Sequence, residues 1–423
     1  MDAGTRARVG ASSCHCLVTS GRQTDSLSPA VAGRAPDSDV KMKPSEIIDQ
    51  SRGRLRALAW GGVSRLRQKY RFDRPFSPRA KRRLLLVSQP DAISQSQIFP
   101  FHFYEDVLHD RWGYEVREVA YGSIVGDSPS RFRDADVVCF QAWIDQTPEQ
   151  LQAVTARLRR DHPGARLAFL DPCAPTDLRF AAAIGSQVDL YVKKHVLRDR
   201  SAYSRPTVGH TNLTDWYGRQ EGTESAQLHF PLPDGFLDKL VVGPSFVTAP
   251  YMLPTFRAVS KPPMNQARPF DVHARLGGVG TGDWYQRMRS EAFAKVRSLE
   301  HVRLTPTTPI KKRAYLRELA QSKICFSPFG YGEVCWRDFE SVYAGALLIK
   351  PDMDHIETAP NLFVPNETYL PLRWNFEDLS EVISGALADP GMRLRIVESA
   401  YDVVRSYAIS NRFVDQLDRL FAA

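Results

Sequence analysis

Glu333, Arg337 and Glu340 are the residues whose types and spacing could do chemistry. They sit in FSPFGYGEVCWRDFESVYAGALLIKPDM, residues 326 to 353, threaded through large apolar side chains. The first apolar run ends at Pro328, Phe329 to Gly332 reads as a turn, and a helix is expected from about Glu333. At about 100° per residue, Arg337 falls about 40° from Glu333 and Glu340 about 20° to its other side. The three therefore share one stripe, opposite Val334, Cys335, Phe339, Val342 and Tyr343. Carboxylates accept paired hydrogen bonds from vicinal hydroxyls, and a guanidinium or the amides of a turn can hold a diphosphate. That set suits a nucleotide-activated sugar. The same spacing also suits a solvated face, with Glu333 complementing the helix dipole and pairing with Arg337 at i,i+4. Spacing alone leaves both readings open.

The elements that would position these groups are legible from residue 84 onward. Short apolar runs at 84–88, 114–119, 136–140, 166–170 and 188–192 read as strands. A helix is expected over 148–161, with Thr147 as its N-cap and Pro148 in its first position. Strands alternating with helices imply parallel βαβ units and a doubly wound sheet. Six prolines between 244 and 269 mark a junction. A second α/β series follows: a strand at 270–275, a glycine loop at 277–282, and a helix capped by Asp283 with Gln286 completing a capping box. A short strand at 302–304, a helix at 311–321, strands at 324–328 and 347–350, and tail helices near 376–387, 390–407 and 411–421 complete it. The expected organisation is an extension over 1–83, a first domain over 84–245, a second over 246–410 and a C-terminal helix over 411–423.

Ligands of open α/β sheets bind beyond the carboxyl ends of the strands. The loop after the first strand, SQPDAISQSQIFPFHFYED, is therefore expected to face the cleft between the domains. His102 within it is a candidate base or acceptor-binding group, although a lone histidine among aromatics is more often packed. Asp171, ending the strand RLAFL, is a second candidate base. A reaction that retains anomeric configuration needs neither.

Composition excludes some classes. The chain has 423 residues, 43% hydrophobic and 25% charged, which is ordinary for a globular protein. Its net charge of +8 is local. Residues 52–83 hold 12 Arg/Lys and one acid, Asp73, which leaves 44 basic and 47 acidic residues elsewhere. The folded body is thus not a polyanion-binding surface, and no nucleic-acid partner is expected. None of the six cysteines has disulfide-type spacing, and Cys14-His15-Cys16 lacks a second half for a zinc site. A cytoplasmic protein with neither signal peptide nor membrane span is expected.

Residues 1–41 read as disordered. Residues 45–70 read as an amphipathic helix interrupted by Gly53, Gly61 and Gly62. Leu55, Leu58, Trp60, Val63 and Leu66 alternate there with arginines. Such a segment either lies on an anionic membrane surface, giving a peripheral contact at the inner face through residues 52–83, or packs on the domain.

GYGEVCWRDFESVYAGALLIKPDM resembles the donor-site segment of GT-B glycosyltransferases of the "glycosyl transferases group 1" type, in which a glycine-rich turn, two glutamates, an Ala-Gly and a strand form the nucleotide-sugar pocket. Six residues separate Glu333 from Glu340, where that pattern typically has seven. YVKKHVLRDRSAY, GHTNLTDWYG and DVHARLGGVGTGDWYQRMR are similar to segments of bacterial polysaccharide-type enzymes. The resemblance implies two Rossmann-like, doubly wound domains facing a cleft. It implies transfer of a sugar from a nucleotide sugar, as co-substrate, to a glycan or lipid-linked acceptor, with no metal or other cofactor. It places Glu340 on the donor ribose and Glu333 on the transferred sugar or its leaving phosphate. Arg275 is the candidate for the diphosphate, with Arg337 a weaker one, and Gly330, Tyr331 and Gly332 form the donor turn. A catalytically silent module of the same fold, acting as a scaffold or sugar-binding protein in envelope or coat assembly, is the alternative; a silent module has no need to keep both glutamates. Asp352-Met353-Asp354 has the lettering of a metal-binding DxD but follows a strand of the second series, so it reads as a loop. Gly277–Gly282 lacks dinucleotide spacing and reads as a loop or a phosphate cradle.

Overall fold

The computed structural model describes residues 44–125, 132–209, 212–220, 222, 227–264 and 266–422, with side chains from residue 50 onward. The reading of residues 1–41, Cys14 and Cys16 included, falls outside them.

Helix α1 (Pro44–Arg71) leads into β1 (Arg82–Ser88). Then come α2 (Ala92–Phe103), β2 (Tyr114–Ala120), β3 (Val137–Phe140), α3 (Pro148–Asp161), β4 (Arg166–Asp171), β5 (Leu190–Lys193), β6 (His195–Leu197) and β7 (Leu240–Val242). The first sheet has the order β2-β1-β3-β4-β5-β7 and is parallel throughout. Side chains alternate along a strand, so Leu84 and Leu86 enter one core while Leu85 and Val87 enter another. Each core needs its own helical cover, which makes the sheet doubly wound. α3 starts as its cap predicts: the Thr147 hydroxyl accepts from the Gln150 amide, and the Gln150 side chain accepts from the Thr147 amide.

After the short helix α4 (Leu253–Ala258), the second series runs β8 (Phe270–His273), α5 (Trp284–Arg297), α6 (Lys312–Ala320), β9 (Ser322–Phe326), α7 (Trp336–Ala344), β10 (Leu347–Pro351), β11 (Ile356–Thr358), β12 (Leu370–Leu372) and α8 (Pro390–Ile409). Its sheet is parallel, ordered β8-β9-β10-β12, and Leu304 adds a bridge to Val272 on the outer side of β8. Counting that bridge, both domains share the order 2-1-3-4-5, whose switch point lies between the first and third strands. These are the two Rossmann-like domains facing a cleft that the sequence led us to expect.

The carboxyl ends of the two sheets face each other. β6, just beyond β5, pairs antiparallel with β11, just beyond β10. The Arg198 guanidinium donates to the carbonyls of Asp354 and Ile356, and Arg200 pairs with Glu357 at 2.7 Å. The chain then crosses back. Two short helices, Arg412–Gln416 and Asp418–Phe421, replace the single one expected, and Phe413 meets Phe101 edge-on at 5.0 Å. One core therefore runs from the first sheet through α8 and the tail into the second domain.

Three local expectations differ. The segment after β1 is mostly helix, because Asp91 caps it by accepting from the Ile93 and Ser94 amides. α1 is continuous despite its glycines, since Gly53 and Gly61 lie against α4 rather than in water. Glu333 is not helical: Cys335 is extended, and α7 starts only at Trp336. Asp338, three residues past Cys335, sets that start by accepting from the Cys335 amide at 2.8 Å.

Candidate functional site in the interdomain cleft

Gly332 is what lets the two domains meet at this cleft. A Cβ there would lie 1.9 Å from the Ala174 carbonyl oxygen, in the loop beyond β4, so only glycine allows this approach. The next residue, Glu333, is 0% exposed and is enclosed from both sides. The Thr176 hydroxyl donates to its Oε2 at 2.5 Å. His195 Nε2 lies 3.3 Å from Oε2, and His355 Nε2 lies 3.5 Å from Oε1. Neither imidazole approach has hydrogen-bond geometry. Both ring nitrogens of His195, Nε2 of His355 and Oε1 of Glu333 are buried without a hydrogen-bond partner among the described residues. Buried polar atoms are nearly always paired, so four orphans at one point need an explanation. Burial would raise the Glu333 carboxyl, but the adjacent His195 and His355 outweigh it and hold it well below the usual range. Burial pushes His195 down, which favours its neutral form.

A second cluster lies on the second-domain side. Glu340, 2% exposed, accepts from the Tyr251 hydroxyl at 2.6 Å and pairs with Lys312, whose side chain is 56% exposed at the start of α6. Tyr251 reaches it from the junction segment before α4. Trp336 stacks on Phe246 at 4.2 Å, and Lys194 sits over the same Phe246 ring at 4.6 Å. Lys194 is buried, donates to the Pro172 carbonyl at 3.2 Å, and is pushed down to about 7 by desolvation. Beneath the turn, Asp338 gathers the Ser327 hydroxyl at 2.7 Å and buried Lys350 at 3.2 Å.

The residues singled out from sequence are not all brought together. Glu333 and Glu340 flank the start of α7. Arg337 does not pair with Glu333; its guanidinium donates to the Arg275 carbonyl, because Glu333 lies off the helix. Arg275 is committed to Glu318 through two bonds at 2.5 and 2.7 Å. Gly330 closes the turn by donating to the Gly332 carbonyl, and Tyr331 stacks on Tyr285 at 4.6 Å while its hydroxyl donates to Asp283. His102 is 0% exposed in the first-domain core, 2.8 Å from Glu118. It does not face the cleft, because the segment carrying it coils into α2 and turns it inward. Asp171 is also 0% exposed and holds Lys193 at 2.8 Å, the Tyr191 hydroxyl at 2.6 Å and the Cys173 amide at 2.8 Å. Burial would raise its pKa, and Lys193 with these hydrogen bonds outweighs that and lowers it. In the glycine loop, the Gly280 and Gly282 amides are already taken by Ser290 and Gln286.

Sequence reasoning missed Thr176, Lys194, His195, Tyr251, Lys312 and His355. His195 lay in a segment quoted for its resemblance, and His355 lay beside the dismissed DxD. Their common signal was position, just past a strand's carboxyl end. A cavity of about 700 Å³ opens beside the Glu333 cluster, lined by Thr176, Arg198, Tyr203, Phe230 and His355 among others.

No family model matches this chain, and no curated protein matches it. Solved structures with similar folds include an alpha-glucosyltransferase in complex with UDP-glucose and DNA containing an abasic site (11% identity, TM-score 0.43, covering 81% of this chain and 99% of that one). A glycosyltransferase from Rickettsia africae ESF-5 is similar at 11% identity and a TM-score of 0.45, covering 81% of this chain and 100% of that one. Sucrose-phosphate synthase from Thermosynechococcus elongatus is similar at 12% identity and a TM-score of 0.41, covering 81% and 98%.

Proposed function

We propose that this chain transfers a sugar from a nucleotide-sugar donor to a glycan or lipid-linked acceptor without metal assistance, the second domain holding the donor. The observation that carries this reading is the group of unpartnered buried polar atoms on Glu333, His195 and His355, set between the carboxyl ends of two facing sheets. Such atoms are costly unless a ligand completes them, at about 1–3 kcal/mol each. Sugar hydroxyls both donate and accept, so they suit a carboxylate oxygen beside imidazole nitrogens. Glu340, already oriented by Tyr251 and Lys312, is assigned to the donor ribose. Lys312, at the mouth, takes the diphosphate role first given to Arg275, whose guanidinium Glu318 occupies. Lys312 is the cation set against the departing nucleoside diphosphate, where fixed charge lowers the barrier, with buried Lys194, pushed down to about 7, behind it. The 700 Å³ cavity on the first-domain side is of a size to take an acceptor.

Thermal unfolding with nucleoside diphosphates and nucleotide sugars tests this, using wild type and Glu340→Ala. A ligand at about 100 times its Kd adds about 2.7 kcal/mol. A shift with one nucleotide, lost in the variant, and transfer that survives EDTA are expected. No shift with any nucleotide would favour the silent scaffold instead.

A further inference from the structure

α1 is docked inside out. At about 100° per residue, Gly53, Ala57, Gly61, Ser64 and Gln68 fall in one stripe. That stripe is the buried or half-buried one, and it lies against α4 and α2. A Cβ on Gly53 would sit 2.8 Å from the Ala258 carbonyl oxygen, so small residues are what let the helix approach. The opposite stripe carries Leu55, Val63, Leu66 and Tyr70, with Leu58 at its edge. Leu55 is 68% exposed, Leu58 74% and Leu66 68%. A helix that only needed to pack on its own domain would turn these leucines inward.

The charges flank this apolar stripe. Arg54, Arg65 and Lys69 lie along one border and Arg56 along the other, with Arg52 within the stripe at its N-terminal end, and none has a carboxylate within ion-pair distance among the described residues. Arg67 and Arg71, nearer the domain, are paired with Asp106 and Glu105. The unpaired cations are thus those on the outward side. A polyanion such as nucleic acid would use the arginines and leave the leucines in water. A bilayer interface uses both, taking the apolar stripe into the headgroup–acyl boundary while the flanking cations meet anionic headgroups.

We infer that the outward face of α1 is a docking surface for an anionic bilayer, on which the protein lies peripherally. No described helix is long and apolar enough to cross a membrane. The inference does not depend on the proposed activity. It does place the bilayer on the far side of α1 from α4, whose preceding segment carries Tyr251 to Glu340.

The test is co-sedimentation of the full chain with vesicles of pure phosphatidylcholine and of phosphatidylcholine with phosphatidylglycerol, at low and high salt. Variants are Leu55→Ser with Leu66→Ser, and Arg54→Glu with Arg65→Glu; all four positions are exposed, and unchanged thermal melting checks folding. Wild type is expected to pellet with the anionic vesicles at low salt and poorly with neutral ones, each double variant weakening partition at least tenfold. Three results would overturn the inference: no pelleting with anionic vesicles, pelleting by the leucine variant equal to wild type, or a concentration-dependent dimer in sedimentation velocity that the leucine variant abolishes. The last would assign the face to a second copy of the chain.

Discussion

The two sheets share a strand order, yet two groups of buried polar side chains near their carboxyl ends are built oppositely. In one, within the first domain, carboxylates and amides find several partners each. Gln141 bonds the Ser94 carbonyl and Gln97, Asp171 holds Lys193 and Tyr191, and Glu118 collects His102, Ser88 and Gln68. In the other, at the seam between the domains, the turn beyond β9 delivers Glu333 with one oxygen unpaired, facing His195 of the first domain and His355 of the second, whose imidazoles also hold unpaired nitrogens. Equal topology, with unequal polar satisfaction, separates groups that hold the fold from groups that await a ligand.

The strongest way to break this contrast is Asp171→Ala. It leaves Lys193, 0% exposed, as an uncompensated buried charge, and such losses run to about 3–5 kcal/mol. Urea unfolding should show that deficit. A variant as stable as wild type but inactive would instead make Asp171 a base.

Glu333→Gln should do the reverse. The amide keeps the shape, and the lost carboxylate had one firm hydrogen bond, from Thr176. Stability should move by less than about 1 kcal/mol, while transfer falls at least about hundredfold, equivalent to about 2.7 kcal/mol in the barrier. Melting curves and initial rates on the same preparation separate the two. A melting loss that explains the activity loss would return Glu333 to the structural class.

This division also explains what could be read from the chain alone. The α/β series, the paired domains and α3 were legible because they follow from periodicity and local caps. Glu333 and Glu340 were legible as types but not as geometry. Placing Glu333 on the helix ignored Asp338, whose reach back to the Cys335 amide fixes the start at Trp336. His102 misled because the segment taken as a loop is capped by Asp91 and coils into α2. His195 and His355 could each be placed past a strand's carboxyl end but not together, since their meeting depends on β6 pairing with β11, residues far apart in the chain.

Acid offers a third probe. Burial, then the charges of Arg337 and Arg275, push His273 down to about 3. Its folded pKa thus lies below the ordinary 6.5, so the unfolded chain takes up the proton first. Stability is whole above about pH 6.5 and is lost as pH falls towards 3, by about 2 kcal/mol between pH 8 and 5. His162, lowered by burial in the first domain, acts with the same sign. Asp171 and Glu118, held low, add their losses only below about pH 4. His273→Gln should flatten the pH 8 to 5 slope by its share; an unchanged slope would mean another group titrates there.

The finest test uses two matched hydrogen bonds, one in each domain. The Tyr191 hydroxyl donates to Asp171 at 2.6 Å, and the Tyr251 hydroxyl donates to Glu340 at the same distance. The chemistry is identical, so Tyr→Phe removes the same group from each. In the first domain Asp171 keeps only Lys193 and the Cys173 amide in a dry site, and Tyr191→Phe should cost about 1.5 kcal/mol of stability, with nucleotide affinity unmoved. In the second domain Glu340 keeps its pair with Lys312 when the hydroxyl is lost. Tyr251→Phe should therefore leave stability nearly unchanged and weaken nucleoside diphosphate binding about fivefold, about 1 kcal/mol, by calorimetry. If both variants lose stability equally and neither changes binding, Glu340 belongs with Asp171 as a scaffold carboxylate, and the contrast between the two sheets narrows to Glu333 alone.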